Sequence, residues 1–268
     1  MSKLDLGHPI AQGATANIFL WDEKTVLKRF HPRVPLETVE AEAKRGRIVA
    51  KVKGLAAPQV GEIIHREGWS GILFERIDGA PMVELLQQTP WRLFELAKAF
   101  ASIQHELHQI RAPAGLPDLH QKYARRIQNE GRLAGSVKTK LLNRLKSLPR
   151  GQSICHGDLH PGNVMLKDSD GSPVIIDWLD VAIGHPLADV ARSVVLLDGA
   201  IASGATGGQL ISFMANRFTK HYLRSYLRLN NNGGQEIYQQ WRPIIAAARL
   251  SEEIEAEEEW LIKEAHNV

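Results

Sequence analysis

The residues whose types and spacing could do chemistry lie in one short stretch, CHGDLHPGN (residues 155–163), and at Asp177. Phosphoryl transfer to a hydroxyl asks little covalent chemistry of a protein. It needs a carboxylate that orients the nucleophile, ligands for the metal on the phosphates, and a cation on the α- and β-phosphates. Asp158 stands five residues before Asn163, the spacing of a kinase catalytic loop. Val164 to Leu166 reads as a strand, 168–172 as a turn, and Val174 to Ile176 as the return strand that delivers Asp177. A hairpin of that length brings Asn163 and Asp177 together, so both can offer hard oxygen atoms to one Mg²⁺. His, Asp and Asn at this spacing would arise by chance in about one chain per hundred at average residue usage. Gly157, Pro161-Gly162 and an Asp after an aliphatic strand make coincidence remote. The plainer alternative is an Asx-rich turn beside a buried strand.

From His156 to Asp177 the chain resembles the aminoglycoside phosphotransferase and choline kinase branch of the protein-kinase-like fold. Its signature is close to H-G-D-x-H-x-G-N, an aliphatic strand, then I-D-W/F. The similarity is strong from His156 to Asp189 and extends more weakly over nearly the whole chain. It implies an α+β, bilobal fold with a small antiparallel-sheet N-lobe carrying one helix, and a larger, mostly helical C-lobe. It implies Asp158 as the catalytic base or orienting group, and Asn163 and Asp177 as magnesium ligands. Gly184-His185-Pro186 with Asp189 looks like the family's G-x-P-x-x-D segment, in which the Asp buttresses the catalytic loop, and His156 supports the same loop. His160 stands where protein kinases carry a loop lysine near the transferred phosphate. It is either a titratable cation there or a histidine satisfied by a backbone carbonyl. Asp180 is a further acid at the cleft or a structural one.

The N-terminal third must supply the nucleotide contacts. Asn17 to Trp21 and Thr25 to Phe30, joined by Asp22-Glu23-Lys24, form a β-hairpin. Alternation puts Lys28 on one face with Val26 and Phe30, so it can reach phosphates rather than stand as a plain exposed strand lysine. A helical stretch opens at Pro35 and closes by Gly54 and Pro58. Glu42 shares a helical face with Arg45-Gly46 and Val49 and is the expected partner of Lys28; Glu40 is the alternative. The phosphate-covering turn, 12–17, has a single glycine, Gly13, and a hydroxyl, Thr15. Strands follow at Val60 to His65 and Ser70 to Ile77. Backbone groups around Glu75, Arg76 and Ile77 are expected to hold the base of ATP or GTP.

Asp78-Gly79-Ala80-Pro81 is the expected boundary, giving a nucleotide-binding lobe over 1–77 and a helical lobe over 78–268. Thr89 as N-cap and Pro90 open a helix with the stripe Leu93, Leu96, Phe100, Ile103, Leu107, Ile110. Helical patterns resume after Leu119 and from Leu187, with loops at 204–208 and 230–234. In the last helix Leu250, Ile254, Leu261 and Ala265 share a face, and Glu257 falls in its middle. Its partner is either an Arg or Lys from the basic segment 122–150 or a cationic acceptor held with Glu253 and Trp260. That basic segment holds nine Lys/Arg against one acid, and 252–264 holds seven Glu. Both runs read equally as solvated helix faces.

Net charge is +3 and Cys155 is the sole cysteine, which fits a small core residue in a reducing, cytoplasmic setting. No stretch approaches the ~18 apolar residues of a membrane span. Only eleven residues separate Asp177 from Asp189, too few for the activation segment of a protein kinase. An inactive nucleotide-binding regulator would have lost a metal ligand or the loop Asp. The reading that remains is a kinase acting on a small-molecule hydroxyl acceptor, with neither membrane nor nucleic acid as partner.

Overall fold

The computed structural model describes residues 6–230 and 234–268. In chain order its strands are β1 (Ala11–Gln12), β2 (Ala16–Leu20), β3 (Thr25–Phe30), β4 (Val60–Arg66), β5 (Trp69–Glu75), β6 (Gly79–Pro81), β7 (Ser153–Cys155), β8 (Val164–Lys167), β9 (Pro173–Ile175) and β10 (Ala182–Gly184). The helices are α1 (Leu36–Val49), α2 (Met82–Gln88), α3 (Leu93–Gln109), α4 (Leu119–Asn129), α5 (Gly135–Ser147), α6 (Pro186–Ala202), α7 (Gln209–Leu229), α8 (Gln235–Arg249) and α9 (Glu258–Ala265). These elements divide into two compact units, Met1–Pro81 with Asn163–Leu179, and Met82–Gly162 with Asp180–Val268.

In the first unit β1-β2-β3-β5-β4 form an antiparallel sheet, and α1 packs on one face. The hairpin turn is an Asx turn: the Lys24 N–H donates to the Asp22 carboxylate at 2.8 Å. On α1, Val39, Glu42, Ala43, Gly46 and Val49 are buried, the three-and-four spacing of one helical face. Val39 and Ala43 join Ala16, Phe30 and Ile72 in the core between helix and sheet. Pro35 precedes the helix as its extended N-cap (φ −61°, ψ 146°). β6, β8 and β9 make a second, three-stranded sheet in the same unit.

That small sheet begins just past the expected boundary at 77/78. Gly79–Pro81 is a strand that pairs with β8, Gly79 opposite Lys167 and Pro81 opposite Met165. Pairing satisfies backbone groups that a free linker would leave to water, and the first stretch of the first unit runs to Pro81. Turn-forming residues marked the place but could not reveal a strand partner more than eighty positions away.

In the second unit α3 packs along α7, with Phe100 edge-on to Tyr222 at 4.9 Å. The α3 stripe buries Leu93, Leu96, Phe100 and Leu107, while Ile103 is half-buried and Ile110 is extended just past the helix. Thr89 does not cap it. Its hydroxyl donates to the Leu85 carbonyl instead, and Pro90–Arg92 forms a 3₁₀ turn ahead of α3. α8 packs on α6 and carries the buried Trp241, whose indole N–H has no partner among the described residues. Of the expected loop at 230–234, residues 231–233 lie outside the described residues, as do 1–5.

The C-terminal reading needs correction. The chain does not run as one helix through Leu250, Ile254, Leu261 and Ala265. Leu250–Glu252 is a 3₁₀ turn, Glu253 is left-handed at φ 56°, and a second 3₁₀ turn covers Glu255–Glu257 before α9. Ile254 is accordingly exposed, while Leu250, Leu261 and Ala265 are buried. Glu257 is buried as expected, but its partner is Arg249. The guanidinium donates from Nε to Oε2 at 2.7 Å and from Nη2 to Oε1 at 2.9 Å, a bidentate pair. The break at Glu253 folds the chain back so that residues eight apart meet. Removing one member of such a pair strands the other charge, whereas removing both does not. Glu257→Gln is therefore expected to destabilise the protein by about 3 kcal/mol, and the double variant Arg249→Met/Glu257→Leu by less. Urea denaturation of the two variants checks the order.

Candidate active site

The residues expected to do chemistry fall into two groups, one in each unit, and one of the three divisions between the units falls between Gly162 and Asn163. In the first unit Lys28 sits mid-strand, with Ile18 and Ile72 opposite it on the flanking strands. Its Nζ donates to Glu42 Oε1 at 2.7 Å and to Asp177 Oδ1 at 3.1 Å. Burial works against the lysine's charge, but Asp177 and Glu42 more than offset it and raise its pKa above the ordinary value. Of the two candidate helix acids it is Glu42, on the buried face of α1, that reaches Lys28; Glu40 is exposed.

The β8–β9 hairpin does what its length requires. The Ile176 N–H donates to the Asn163 carbonyl at 3.0 Å, which brings the two ends together. Asp177 then takes a left-handed conformation at φ 62°, tolerable for Asp and sparse for other side chains. The turn is fixed on both sides. Trp178 Nε1 donates to the Ile175 carbonyl at 2.9 Å, and Arg45 of α1 donates to the Leu179 carbonyl. One helix thus serves the Asp177 segment twice: Glu42 reaches it through Lys28, and Arg45 directly.

The remaining expected nucleotide residues are less uniform. Gly13 and Thr15 are exposed on the turn between β1 and β2. Gly13 does not need a positive φ. Its place is set by close approach, because an added Cβ would lie 3.3 Å from the Ala16 carbonyl oxygen. Glu75 and Arg76 have committed their N–H groups, to Gln59 O at 2.9 Å and Lys24 O at 2.8 Å. Of the three connector residues expected to hold the base through backbone groups, Ile77 has an N–H that no described residue engages.

In the second unit the loop 156–162 hangs from Asp189. This carboxylate is fully buried and accepts from the N–H of His156 (Oδ2, 3.1 Å) and of Gly157 (Oδ1, 2.7 Å). Gln104 Nε2 donates to Oδ2 at 3.1 Å, and His108 Nε2 lies 3.1 Å from the same oxygen. Burial alone would raise the Asp189 pKa; the His108 contact, His156 and the Gly157 N–H lower it below the usual carboxylate range. Gly157 is required here. Its φ is +80°, and a Cβ would fall 2.5 Å from the Asp180 carbonyl oxygen. His156 Nδ1 accepts the Asp158 N–H at 3.1 Å, so it supports the loop, and burial pushes the neighbouring Cys155 thiol up, leaving it inert.

Asp158 is partly exposed, with Arg192 Nη2 at 3.3 Å and His160 Nε2 at 3.9 Å. Burial raises its pKa; Arg192 and His160 oppose this, Asp180 and Glu252 reinforce it, and the net direction is upward. His160 uses Nδ1 to accept the Gly162 N–H at 3.1 Å. Asp180 is engaged by Lys122 and by Arg126. Burial pushes its carboxyl up, but Lys122, Arg126 and Arg192 more than offset this and hold it well below the usual range.

The expected acceptor group Glu253, Glu257 and Trp260 does not assemble. Glu257 is taken by Arg249. Glu253 lines a hollow with Arg125, Arg126 and Arg132, whereas Trp260 lines another with Asp198, Tyr238 and Arg242. Much of the acidic run is engaged by arginine: Glu252 by Arg126, Arg192 and Arg249, Glu258 by Arg132, Glu264 by Arg242. Sequence reasoning missed Arg192, Gln104, His108, Lys122 and Arg45. A signal existed for Arg192, a lone cation in the stretch Val190 to Leu197, apolar but for it and Ser193, where a charge must find a partner.

A family model described as the phosphotransferase enzyme family matches residues 7–230 of this chain. The chain belongs to that family. This phosphotransferase is a kinase, with an alcohol group as acceptor. It has the protein-kinase-like fold, as similar solved structures show. An aminoglycoside-3'-phosphotransferase of type VIII aligns with a TM-score of 0.61 at 18% identity, covering 90% of this chain and 91% of the other. An ethanolamine kinase from Plasmodium vivax aligns at 0.60 and 13% identity, covering 96% and 81%. The GDP and kanamycin complex of an aminoglycoside 2''-phosphotransferase aligns at 0.52 and 18% identity, covering 96% and 89%. A search of curated proteins found no match to the sequence. Among the described residues no helix of the phosphotransferase is long and apolar enough to cross a membrane.

The depressed pKa of Asp189 gives a signed expectation. A carboxylate with a lowered folded-state pKa adds stability above its unfolded value of ~3.9, and that stability is lost as pH falls through the folded value. Asp189→Asn is expected to cost about 2–4 kcal/mol at neutral pH and to flatten the loss of stability in acid. Urea denaturation of parent and variant between neutral and acid pH measures both.

Proposed function

We propose that this enzyme transfers the γ-phosphoryl group of ATP or GTP, with Mg²⁺, to a hydroxyl of a small molecule. The observation that carries the reading is Lys28, buried in the sheet and held between Glu42 and Asp177 at 2.7 and 3.1 Å. A lysine fixed in this way is suited to the α- and β-phosphates of a nucleotide. The GDP-bound relative supports nucleotide use. Ile77 offers its N–H to the base.

Asn163 and Asp177 fit a magnesium ion by the chemistry of their donors. The hairpin joins their backbones, both present hard oxygens, and two protein ligands leave room for phosphate oxygens and water. Bound there, the ion would draw charge from the phosphates. Asp158 accepts the proton of the acceptor hydroxyl as its oxygen forms a bond to the γ-phosphorus and the bond to the β,γ-bridging oxygen breaks. A carboxylate with a raised pKa is a better base than an ordinary one. Asp189, through the His156 and Gly157 N–H groups, holds the loop that presents it.

The acceptor is a small hydroxyl compound. Its class is not carried over from the antibiotic-modifying relatives, because the arginine-bound glutamates of 252–264 leave few carboxylates for a polycation. Following ADP and GDP release over panels of hydroxylated metabolites and of aminoglycosides tests the function, and absence of nucleotide-dependent turnover on every panel would defeat it.

Asp158→Asn is expected to lower kcat by about 10²–10⁴-fold while the dissociation constant for Mg·ADP, read by calorimetry, stays within about threefold. Turnover within about tenfold of the parent, ~1.4 kcal/mol in barrier, would remove Asp158 from its role. Because the Asp158 pKa is raised, the acid limb of kcat should lie above the ordinary Asp value of ~3.9. Lys28→Met is expected both to raise KM for the nucleotide and to lower kcat, since a cation on the phosphates acts in binding and in the transition state. Glu42→Gln should weaken both parameters in the same direction, and Glu40→Gln neither.

A further inference from the structure

Arg192 follows Asp189 by one turn of α6 and is 2% exposed. The two side chains hold the same loop from opposite polarities. Asp189 takes the N–H groups of His156 and Gly157, whereas Arg192 donates from Nε to the Gly157 carbonyl at 2.8 Å and places Nη2 3.3 Å from Asp158 Oδ1. The guanidinium is rigid and planar, so fixing Nε on a backbone carbonyl also fixes where Nη2 points. Asp158 therefore meets a donor whose position is set by the loop that bears it.

The same Nη2 lies 2.7 Å from Glu252 Oε1. Glu252 comes from the 3₁₀ turn just ahead of the left-handed Glu253, and it is held there by Arg126 Nη1 at 3.1 Å and Arg249 Nη1 at 2.7 Å. Two carboxylates thus share one donor, and the shorter contact belongs to Glu252. A cation given wholly to Asp158 would quench it as a base; one shared with Glu252 can hold the carboxylate with less of that cost. Charged groups facing Asp158 within this unit include Arg192, His160, Asp180 and Glu252. Of these, Arg192 grips the loop backbone from outside the loop, at the Gly157 carbonyl.

We propose that Arg192 is a positioning residue for phosphoryl transfer, holding the Asp158 carboxylate in register with the Gly157 carbonyl, and that Glu252 shares its guanidinium so that the C-terminal segment takes part in presenting the base. The assignment rests on the role given to Asp158 under Proposed function.

Three variants test it: Arg192→Met, Arg192→Lys and Glu252→Gln, each read by crystal structure and by kcat and KM with the acceptor found in the release panels. Arg192→Met is expected to turn the Asp158 carboxylate away from its present place. It should lower kcat by about 10²-fold while KM for the nucleotide stays within about twofold. Arg192→Lys, which keeps the charge but lacks the fork, should recover only part of that loss. Glu252→Gln should lower kcat by about tenfold with nucleotide KM unchanged. A merely structural role would lower the melting temperature and leave the kcat-to-KM split intact. An Asp158 carboxylate that keeps its place without Arg192, or kcat within about threefold of the parent, overturns the proposal. If the parent turns over no acceptor, the phosphotransfer reading fails on its own account, and the crystal structure still decides the positioning claim. Should Arg192→Met not fold, Arg192→Lys carries both readouts.

Discussion

A carboxylate with no exposed surface cannot be left without donors, and Asp189 has that constraint at the centre of the second unit. Taking such a group from water costs several kcal/mol unless strong hydrogen bonds replace its hydration. Two of the replacements are backbone N–H groups, of His156 and Gly157, and two are side chains of α3, Gln104 and His108. The penalty therefore acts as a specification. Any conformation of the loop that withdraws those N–H groups strands a buried charge, so the loop has one stable arrangement. His108 is in turn fixed by the Tyr226 hydroxyl at 2.6 Å, and the Tyr222 hydroxyl contacts Gln104, which carries the constraint into α7.

The first unit uses the same physics with opposite sign. Lys28 is a buried cation, and its two acids come from places far apart in sequence, a helix at Glu42 and a hairpin end at Asp177. The pair to Glu42 is short and largely dry, while Asp177 remains partly exposed. The more buried acid sets the lysine's position, and the more exposed one is left able to exchange partners. That division of labour suits a lysine meant to meet phosphate.

The charge runs of the second unit have a different character from the one their composition suggests. Segment 122–150 and segment 252–264 look like two solvated faces, one basic and one acidic. In the folded chain the two runs meet through two arginines, Arg126 with Asp180 and Glu252 and Arg132 with Glu130 and Glu258, while Arg249 holds Glu252 and Glu257. Isolated surface pairs contribute little. Buried, bidentate and shared pairs instead impose geometry, and here they turn the C-terminal segment toward the catalytic loop's supports.

Sequence alone determined the parts of this protein whose physics is local. The β2–β3 hairpin, the helix at α1, the α3 stripe and the β8–β9 hairpin follow from alternation, helical spacing and turn residues, which act over a few positions. The motif around Asp158 was legible for the same reason, since a catalytic loop and a short hairpin fix the separation of Asp158, Asn163 and Asp177 within about twenty residues. What sequence could not decide was partner choice over long separations. Glu42 rather than Glu40, Arg249 rather than a residue of 122–150, β6 as a strand rather than a linker, and Arg192 between Asp158 and Glu252 all depend on which groups burial brings face to face. Each is an electrostatic or hydrogen-bonding demand that several residues could have met. Only the tertiary structure, by removing water from around them, left one partner in reach.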